Sequence, residues 1–333
     1  MKYLIEIHHG IGDMVQMMGV VDSILSVDNS AKIFLIINNK SFADLISNDE
    51  RINGIFFLNL KKMSKFMILK QVIKMRREKF DYFFISPISN VKYSRLLANL
   101  INSKNSYGVQ LRNKKKMCFV DKVDSHIVEM NFKLVQSAFC NANFCIPKLH
   151  INVGQKNSIG FNKFVCLCIG TSIPQKQWDV SNYIYVGKKL EEFGYKIILL
   201  GGKKEEDEVR NLDIPVSFVN YLGKTTLKES AEILKEASLV IGGDTGVLHI
   251  AAALEVPTLC LFSCTDPFYH FPYSFDSYVY YNKMDCQFCY EKGLVSMCTD
   301  YKCIKTIDKD AVLDLSIKIL NGSCPELKQI KEK

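Results

Sequence analysis

The chain has 333 residues, a net charge of +8 and 48% apolar residues. That length is more than one hydrophobic core usually serves, so two domains are expected, and the composition is that of a globular chain rather than a disordered one. No apolar run reaches the roughly 18 residues of a membrane-spanning helix. The opening Met1-Lys2-Tyr3-Leu4-Ile5-Glu6-Ile7 is too short and too quickly polar for a signal peptide, so a cytoplasmic chain is expected.

In chain order, residues 3–7 read as a strand and 14–26 as a helix. Lys32–Ile37 is a strand, Ser41–Ser47 a short helix, and Ile55–Leu60 a strand. A basic helix runs from Ser64 to about Lys79, then a strand over Tyr82–Ile85 and helices over Tyr93–Ile101 and His126–Phe139. A polar joint, Gly154–Asn162, separates this half from a second run of the same kind. Phe164–Ile169 is a strand, and Ser181 caps a helix that Gly194 ends. Lys196–Leu200 is a strand and Glu205–Leu212 a helix. Thr226-Leu227-Lys228-Glu229 is a capping box opening a helix to about Ala237. Leu239–Gly242 is a strand, Val247–Leu254 a helix, Pro257–Phe262 a strand, and Lys309–Leu320 a tail helix. Short apolar runs alternating with helical patterns predict parallel βαβ units. The expected fold is α/β: two Rossmann-like, doubly wound domains, residues 1–155 and 156–333, facing across a cleft, with the last helix free to pack back on the first domain.

Charge is unevenly spread. Residues 1–150 hold 22 Lys and Arg against 12 acids, residues 151–333 hold 21 against 23. A basic first half predicts an anionic partner. Its densest stretch is Lys61, Lys62, Lys65, Lys70, Lys74, Arg76, Arg77 and Lys79, interleaved with Phe66, Met67, Leu69, Val72 and Ile73; Arg112 and Lys114–Lys116 add to it. It reads either as a solvated outer face or as a rim meeting anionic lipid and phosphorylated sugars. No recognised nucleic-acid module is present.

Three turns carry candidate chemistry. His8-His9-Gly10-Ile11-Gly12-Asp13 ends the first strand. Its glycines allow close backbone approach to a ligand, but Val15 stands where a dinucleotide fingerprint would have its third glycine. Asp13 reads as a functional carboxylate or as a helix N-cap with Gln16 completing a capping box. Gly170-Thr171-Ser172-Ile173-Pro174-Gln175-Lys176-Gln177-Trp178 offers hydroxyls, amides and an ammonium to a phosphate, or is an ordinary loop with a packed tryptophan. Gly242-Gly243-Asp244-Thr245-Gly246-Val247-Leu248-His249 opens a helix at a strand's carboxyl end, where open α/β sheets bind anions. His249 alone is better explained as a satisfied core histidine. Thr265-Asp266-Pro267 forms a further turn at the same edge.

Taken in this order, these motifs resemble the bacterial heptosyltransferases, glycosyltransferase family nine, along nearly the whole chain. The resemblance implies a GT-B fold and inverting, metal-independent transfer of a heptose from ADP-heptose to a lipopolysaccharide-core acceptor, with no cofactor required. It matches Asp13 to the catalytic base. Gly12, Thr171, Ser172, Lys176, Asp244, Thr245, Gly246 and His249 are matched to donor binding, with Glu205, or equally Glu206, holding the nucleoside. The partners implied are a nucleotide-sugar donor and an anionic glycan or glycolipid at the inner face of the cytoplasmic membrane, with no nucleic acid. The alternatives are a GT-B transferase using another nucleotide sugar or acceptor, and a non-catalytic sugar-nucleotide-binding or scaffold protein.

Of twelve cysteines, Cys118, Cys140, Cys145, Cys166, Cys168, Cys260, Cys264 and Cys324 read as reduced packing residues. Cys286, Cys289, Cys298 and Cys303 have the spacing of a structural zinc or iron site. A disulfide pair and unligated thiols are the alternatives.

Overall fold

The computed structural model describes residues 1–7, 10–60, 62–109, 117–120, 124–151, 160–210 and 212–323. His8, His9, Lys61, Arg112, Lys114–Lys116, Cys324 and most of the expected joint lie outside them. The chain divides into two compact units, Met1–Ile151 and Asn152–Lys333. The boundary expected at 155/156 falls among the undescribed residues 152–159.

In the first unit the strands are β1 (Lys2–Glu6), β2 (Lys32–Ile37), β3 (Ile52–Phe57), β4 (Tyr82–Ile85), β5 (Asn105–Val109) and β6 (Met117–Val120). The helices are α1 (Ile11–Met17), α2 (Gly19–Leu25), α3 (Lys40–Leu45), α4 (Lys65–Arg77), α5 (Val91–Ile101) and α6 (Ile127–Ala138). The sheet runs β3-β2-β1-β4-β5-β6, every pairing parallel. β1 lies in register between β2 and β4, with Leu4 opposite Phe34 and Phe83. Both faces are covered by helices, so the central strands are apolar along their middles. On one face Leu4, Ile36 and Phe83 pack with Val72 and Met75 of α4 and Leu97 and Ile101 of α5.

The second unit repeats the plan. Its strands are β7 (Phe164–Cys168), β8 (Lys196–Leu200), β9 (Val219–Asn220), β10 (Leu239–Gly243), β11 (Thr258–Leu261) and β12 (Ser277–Tyr280). Its helices are α7 (Val180–Glu192), α8 (Lys203–Glu208), α9 (Leu227–Lys235), α10 (Gly246–Ala253), α11 (Pro267–His270), α12 (Lys302–Lys305) and α13 (Lys309–Leu320). The order β12-β11-β10-β7-β8-β9, again parallel, is the same winding. In each unit the first and fourth strands are neighbours and the winding reverses between them. Open sheets of this kind bind ligands at the carboxyl ends beside that reversal.

Two expectations need correction. The helix expected over 14–26 is two helices meeting at Met18, whose N–H donates to the Val15 carbonyl three residues back at 3.0 Å and tightens the turn there; beside it the backbone passes close to residue 145, since a Cβ at Gly19 would stand 2.6 Å from the Cys145 carbonyl oxygen. Ser181 does not cap α7. Asp179 does, its carboxylate accepting from the Ser181 N–H at 2.8 Å. The last helix, α13, packs on α7 and β10, with Val312 and Ile319 in the second unit's core.

Candidate functional site

The second unit's reversal lies between β7 and β10, and both loops leaving them are rigidly built. After β7, Trp178 is fully buried against Tyr183, and its indole N–H donates to the Ile307 carbonyl at 3.1 Å. Gln177 donates from Nε2 to the Ile169 and Trp178 carbonyls at 2.9 and 3.0 Å, folding the loop back on its own start. The Thr171 hydroxyl both accepts from the Ile173 N–H and donates to the Ile173 carbonyl. Thr171 therefore shapes the loop, while Ser172 beside it is exposed. Pro174–Lys176 form a single 3-10 turn that turns Lys176 inward, nine-tenths covered.

After β10 the glycines serve close packing. A Cβ at Gly242 would stand 2.8 Å from the Cys168 carbonyl oxygen, and one at Gly243 would stand 3.0 Å from that of Lys176. The two loops thus pass in backbone contact, and Lys176 meets Asp244 directly, its ammonium hydrogen-bonded to Oδ2. The same carboxylate oxygen accepts from Thr265 Oγ1 at 2.7 Å, and His249 Nε2 stands 3.7 Å from Oδ1. Burial alone would raise the Asp244 pKa. His249 and the Lys176 charge outweigh it and hold the carboxyl well below the usual carboxylate range. Burial likewise works against the Lys176 ammonium, and Asp244 more than compensates, so its pKa is raised.

Asp244 is thus the counter-ion and hydrogen-bond anchor of Lys176. Two buried polar atoms beside it, Thr245 Oγ1 and His249 Nδ1, have no partner among the described residues. Thr245 is the N-cap of α10 but makes no side-chain cap, so the N–H groups opening that helix at Gly246 are available to an anion. Glu205 is buried, accepts from the Gly202 N–H at 2.8 Å, and lies where a Cβ at Gly170 would come within 3.0 Å of its carboxyl carbon. Glu206 is instead ion-paired with Lys203.

In the first unit Gly12 and Asp13 lie in the first turn of α1, at the carboxyl end of β1. Asp13 is not the N-cap, and Gln16 is not its partner. Gly10 takes the cap position, and Asp13, three residues on, accepts from the Gly10 N–H at 3.1 Å. Gln16 is buried and donates nothing to that turn. Asp13 is only half-buried. Sequence reasoning missed Glu6 at this edge. It is fully buried at the end of β1 and accepts from the Ser86 N–H at 2.9 Å and from the Ser89 hydroxyl, fixing the loop between β4 and α5.

The model of glycosyltransferase family 9 (heptosyltransferase) matches residues 99–298, more than half of the chain. The chain belongs to this family. Lipooligosaccharide heptosyltransferase 2 of Haemophilus influenzae is 32% identical over 129 residues, which are 37% of this chain and 36% of that relative's own length. Among solved structures, a family 9 glycosyl transferase from Veillonella parvula superposes with a TM-score of 0.80 at 17% identity, covering 97% of this chain and 98% of that one. Escherichia coli ADP-heptose lps heptosyltransferase II superposes at 0.75 and 19%, covering 97% and 99%. These likenesses show the fold, GT-B, with two parallel-sheet Rossmann-like units.

In this family 9 chain the cysteine-rich segment closes over the second unit's site. Gln175 donates to the Val295 carbonyl at 2.9 Å, Tyr290 N–H donates to the Cys264 carbonyl at 3.0 Å, and Glu291 accepts from the Asp266 N–H at 3.1 Å with His270 Nε2 at 3.3 Å. Tyr290 lays its ring over the Lys176 ammonium, 5.5 Å from centroid to nitrogen. No motif announced it. Among the described residues, no three His, Cys, Asp or Glu side chains stand close enough to hold a metal ion. Cys303 is turned into the core beside Ile304, whereas Cys286 is exposed on a surface turn. Burial, then the neighbouring Cys264, Cys286 and Cys298, push the Cys303 thiol up to about 11. Of the other cysteines, Cys166, Cys168, Cys260 and Cys264 are buried as expected, but Cys140 is exposed.

Proposed function

We propose that the chain transfers a heptose from an ADP-heptose-like donor to an anionic acceptor of lipopolysaccharide-core type, with inversion and without a divalent metal. It acts in the cytoplasm on a lipid-linked acceptor at the inner face of the membrane. The observation that carries this reading is the Lys176–Asp244 pair at a sheet reversal, flanked by Thr245 Oγ1 and His249 Nδ1, both without a partner among the described residues, and by the open start of α10. Buried polar atoms are almost always paired, so two left over beside a helix N-terminus suit a ligand with several oxygens. A diphosphate has them. Support for the donor and acceptor classes comes from the family and from the ADP-heptose named for the Escherichia coli neighbour.

The chemistry is one in-line displacement. The acceptor hydroxyl attacks the anomeric carbon opposite the diphosphate, the new C–O bond forms as the bond to the phosphate oxygen breaks, and that electron pair leaves on the diphosphate. Asp13 takes the hydroxyl proton. Lys176, the Gly246 end of α10 and the Thr245 hydroxyl meet the charge that develops on the leaving group, the task a metal ion performs elsewhere. Ser172, on the same loop as Lys176, adds a hydroxyl, and Glu205 holds the nucleoside.

A thermal-shift panel of nucleoside diphosphates and nucleotide sugars in EDTA tests the donor. ADP and ADP-heptose should stabilise the protein, by about 2.7 kcal/mol at a hundred times the dissociation constant. Stabilisation by a different base, or only with added magnesium, would overturn it. Tyr290→Ala should weaken ADP binding about two- to fivefold, the worth of an exposed cation–π contact, while Tyr290→Phe keeps the ring and the affinity. Titration calorimetry on both variants checks this, and equal loss in both would mean that the phenol hydroxyl matters instead.

A further inference from the structure

Helix α4 is apolar on two sides. Its inner side, Val72 and Met75, is buried in the first unit's core. Its outer side carries Phe66, Leu69 and Ile73, spaced three and four residues apart and therefore on one stripe; they are 76%, 54% and 43% exposed, with Met67 at 51%. Helix α5 packs beside it and adds Leu96 and Leu100, 58% and 38% exposed. Single exposed apolar residues are ordinary, but a run of six on two adjoining helices marks a contact surface.

Charge selects the occupant. Lys65, Lys70, Lys74, Arg76 and Arg77 lie along α4, and Lys92 and Arg95 on α5. Neither helix has an acidic residue, nor does any position from 51 to 77 or from 82 to 120. A second copy docked face to face would set these cations against one another. An apolar stripe framed by lysine and arginine is the pattern of helices that lie in the headgroup layer of anionic bilayers.

We propose that the α4–α5 face docks on an anionic lipid bilayer, with Phe66, Met67 and Leu69 entering the headgroup–acyl boundary. The inference rests on the proposed reading of a lipid-linked acceptor, and it gives that acceptor a place. Because the sheet is parallel, the start of α4 lies at the same edge as the Gly10–Asp13 turn. Phe66 and Met67 are in the first turn of α4, so the bilayer meets the unit at the edge where Asp13 lies.

The test is co-sedimentation of the full chain with phosphatidylcholine vesicles, with and without phosphatidylglycerol. Binding should require the anionic lipid. Lys70→Glu with Lys74→Glu should lower the partition coefficient roughly 30-fold or more. Phe66→Ser with Leu69→Ser, which leaves every charge in place, should remove the part of the binding that survives high salt. ADP binding should be unchanged in the serine variant, which separates lost docking from lost folding. Equal binding of both variants and wild type would overturn the proposal. So would a dimer in light scattering that the serine variant dissolves, since that would assign the face to a second copy. Vesicle binding by a chain that binds no ADP would refute the donor reading and leave the docking surface standing.

Discussion

Replacing Asp244 by alanine should destabilise the second unit by about 3–5 kcal/mol, the usual result of removing one partner from a buried ion pair. Lys176 is nine-tenths covered and Trp178 fixes its loop, so a stranded ammonium has no easy route to solvent. The double variant Lys176→Met with Asp244→Ala should recover much of that loss, because it removes the buried charge itself. Thermal or urea unfolding checks both. The pH dependence has a definite sign. Asp244 has a lowered pKa in the folded state, so its contribution is complete above the unfolded value of about 3.9 and is lost as pH falls below it. Lys176 has a raised pKa, so its contribution is complete below about 10.4 and is lost as pH rises past its folded value. The deficit of Asp244→Ala should therefore be largest around neutral pH, shrink in acid as Asp244 loses its charge in the wild type, and shrink again in alkali as the stranded Lys176, which burial pushes down once Asp244 is gone, gives up its proton. Function gives a second readout. Lys176→Ala should cost ADP affinity about ten- to a hundredfold, since a charge-assisted contact is worth roughly 1.5–3 kcal/mol. Unchanged affinity would mean that Lys176 serves only to neutralise Asp244.

The pairing of Lys176 with Asp244 could not be read from the sequence, although both residues could. They are 68 positions apart. What joins them is the backbone approach at Gly242 and Gly243, and a glycine doublet before a helix reads equally well as a phosphate loop. The central strands were legible because residues such as Leu4, Ile5, Ile198 and Ile241 are buried on both faces and leave continuous apolar runs. Strands with polar residues inside the sheet were not. β5 reads Asn-Ser-Tyr-Gly-Val, and its buried Ser106 is satisfied by the Ser103 hydroxyl at 2.8 Å. β12 begins at Ser277, whose hydroxyl accepts from Thr258 at 3.0 Å. Polar residues that satisfy one another inside a sheet erase the signal by which strands are found. The cysteine spacing carries no information on depth: α12 buries Cys303 beside Ile304, while Cys286 lies on an exposed turn.

Asp13→Asn should leave the fold and ADP binding intact and reduce transfer at least about a hundredfold, the low end of a general base's contribution. The structure sharpens this expectation, because it shows what Asp13 does for its own helix. Its Oδ2 accepts one hydrogen bond, from the Gly10 N–H, at a half-exposed turn. An asparagine amide oxygen can accept that bond too, so the local cost is at most about 1 kcal/mol. Only the carboxylate can take the proton that leaves the acceptor hydroxyl as the glycosidic bond forms. Asp13→Ala separates the two roles further. It loses both the bond to Gly10 and the base, so it should melt lower than the asparagine variant yet transfer no more slowly. Melting curves, ADP titrations and initial rates on all three proteins give the comparison. If the asparagine variant keeps more than about a tenth of wild-type turnover, Asp13 is a helix-start residue alone. The base must then be sought among other carboxylates, and Glu6 is a poor substitute, since it is fully buried and its oxygens already accept from Ser86 and Ser89.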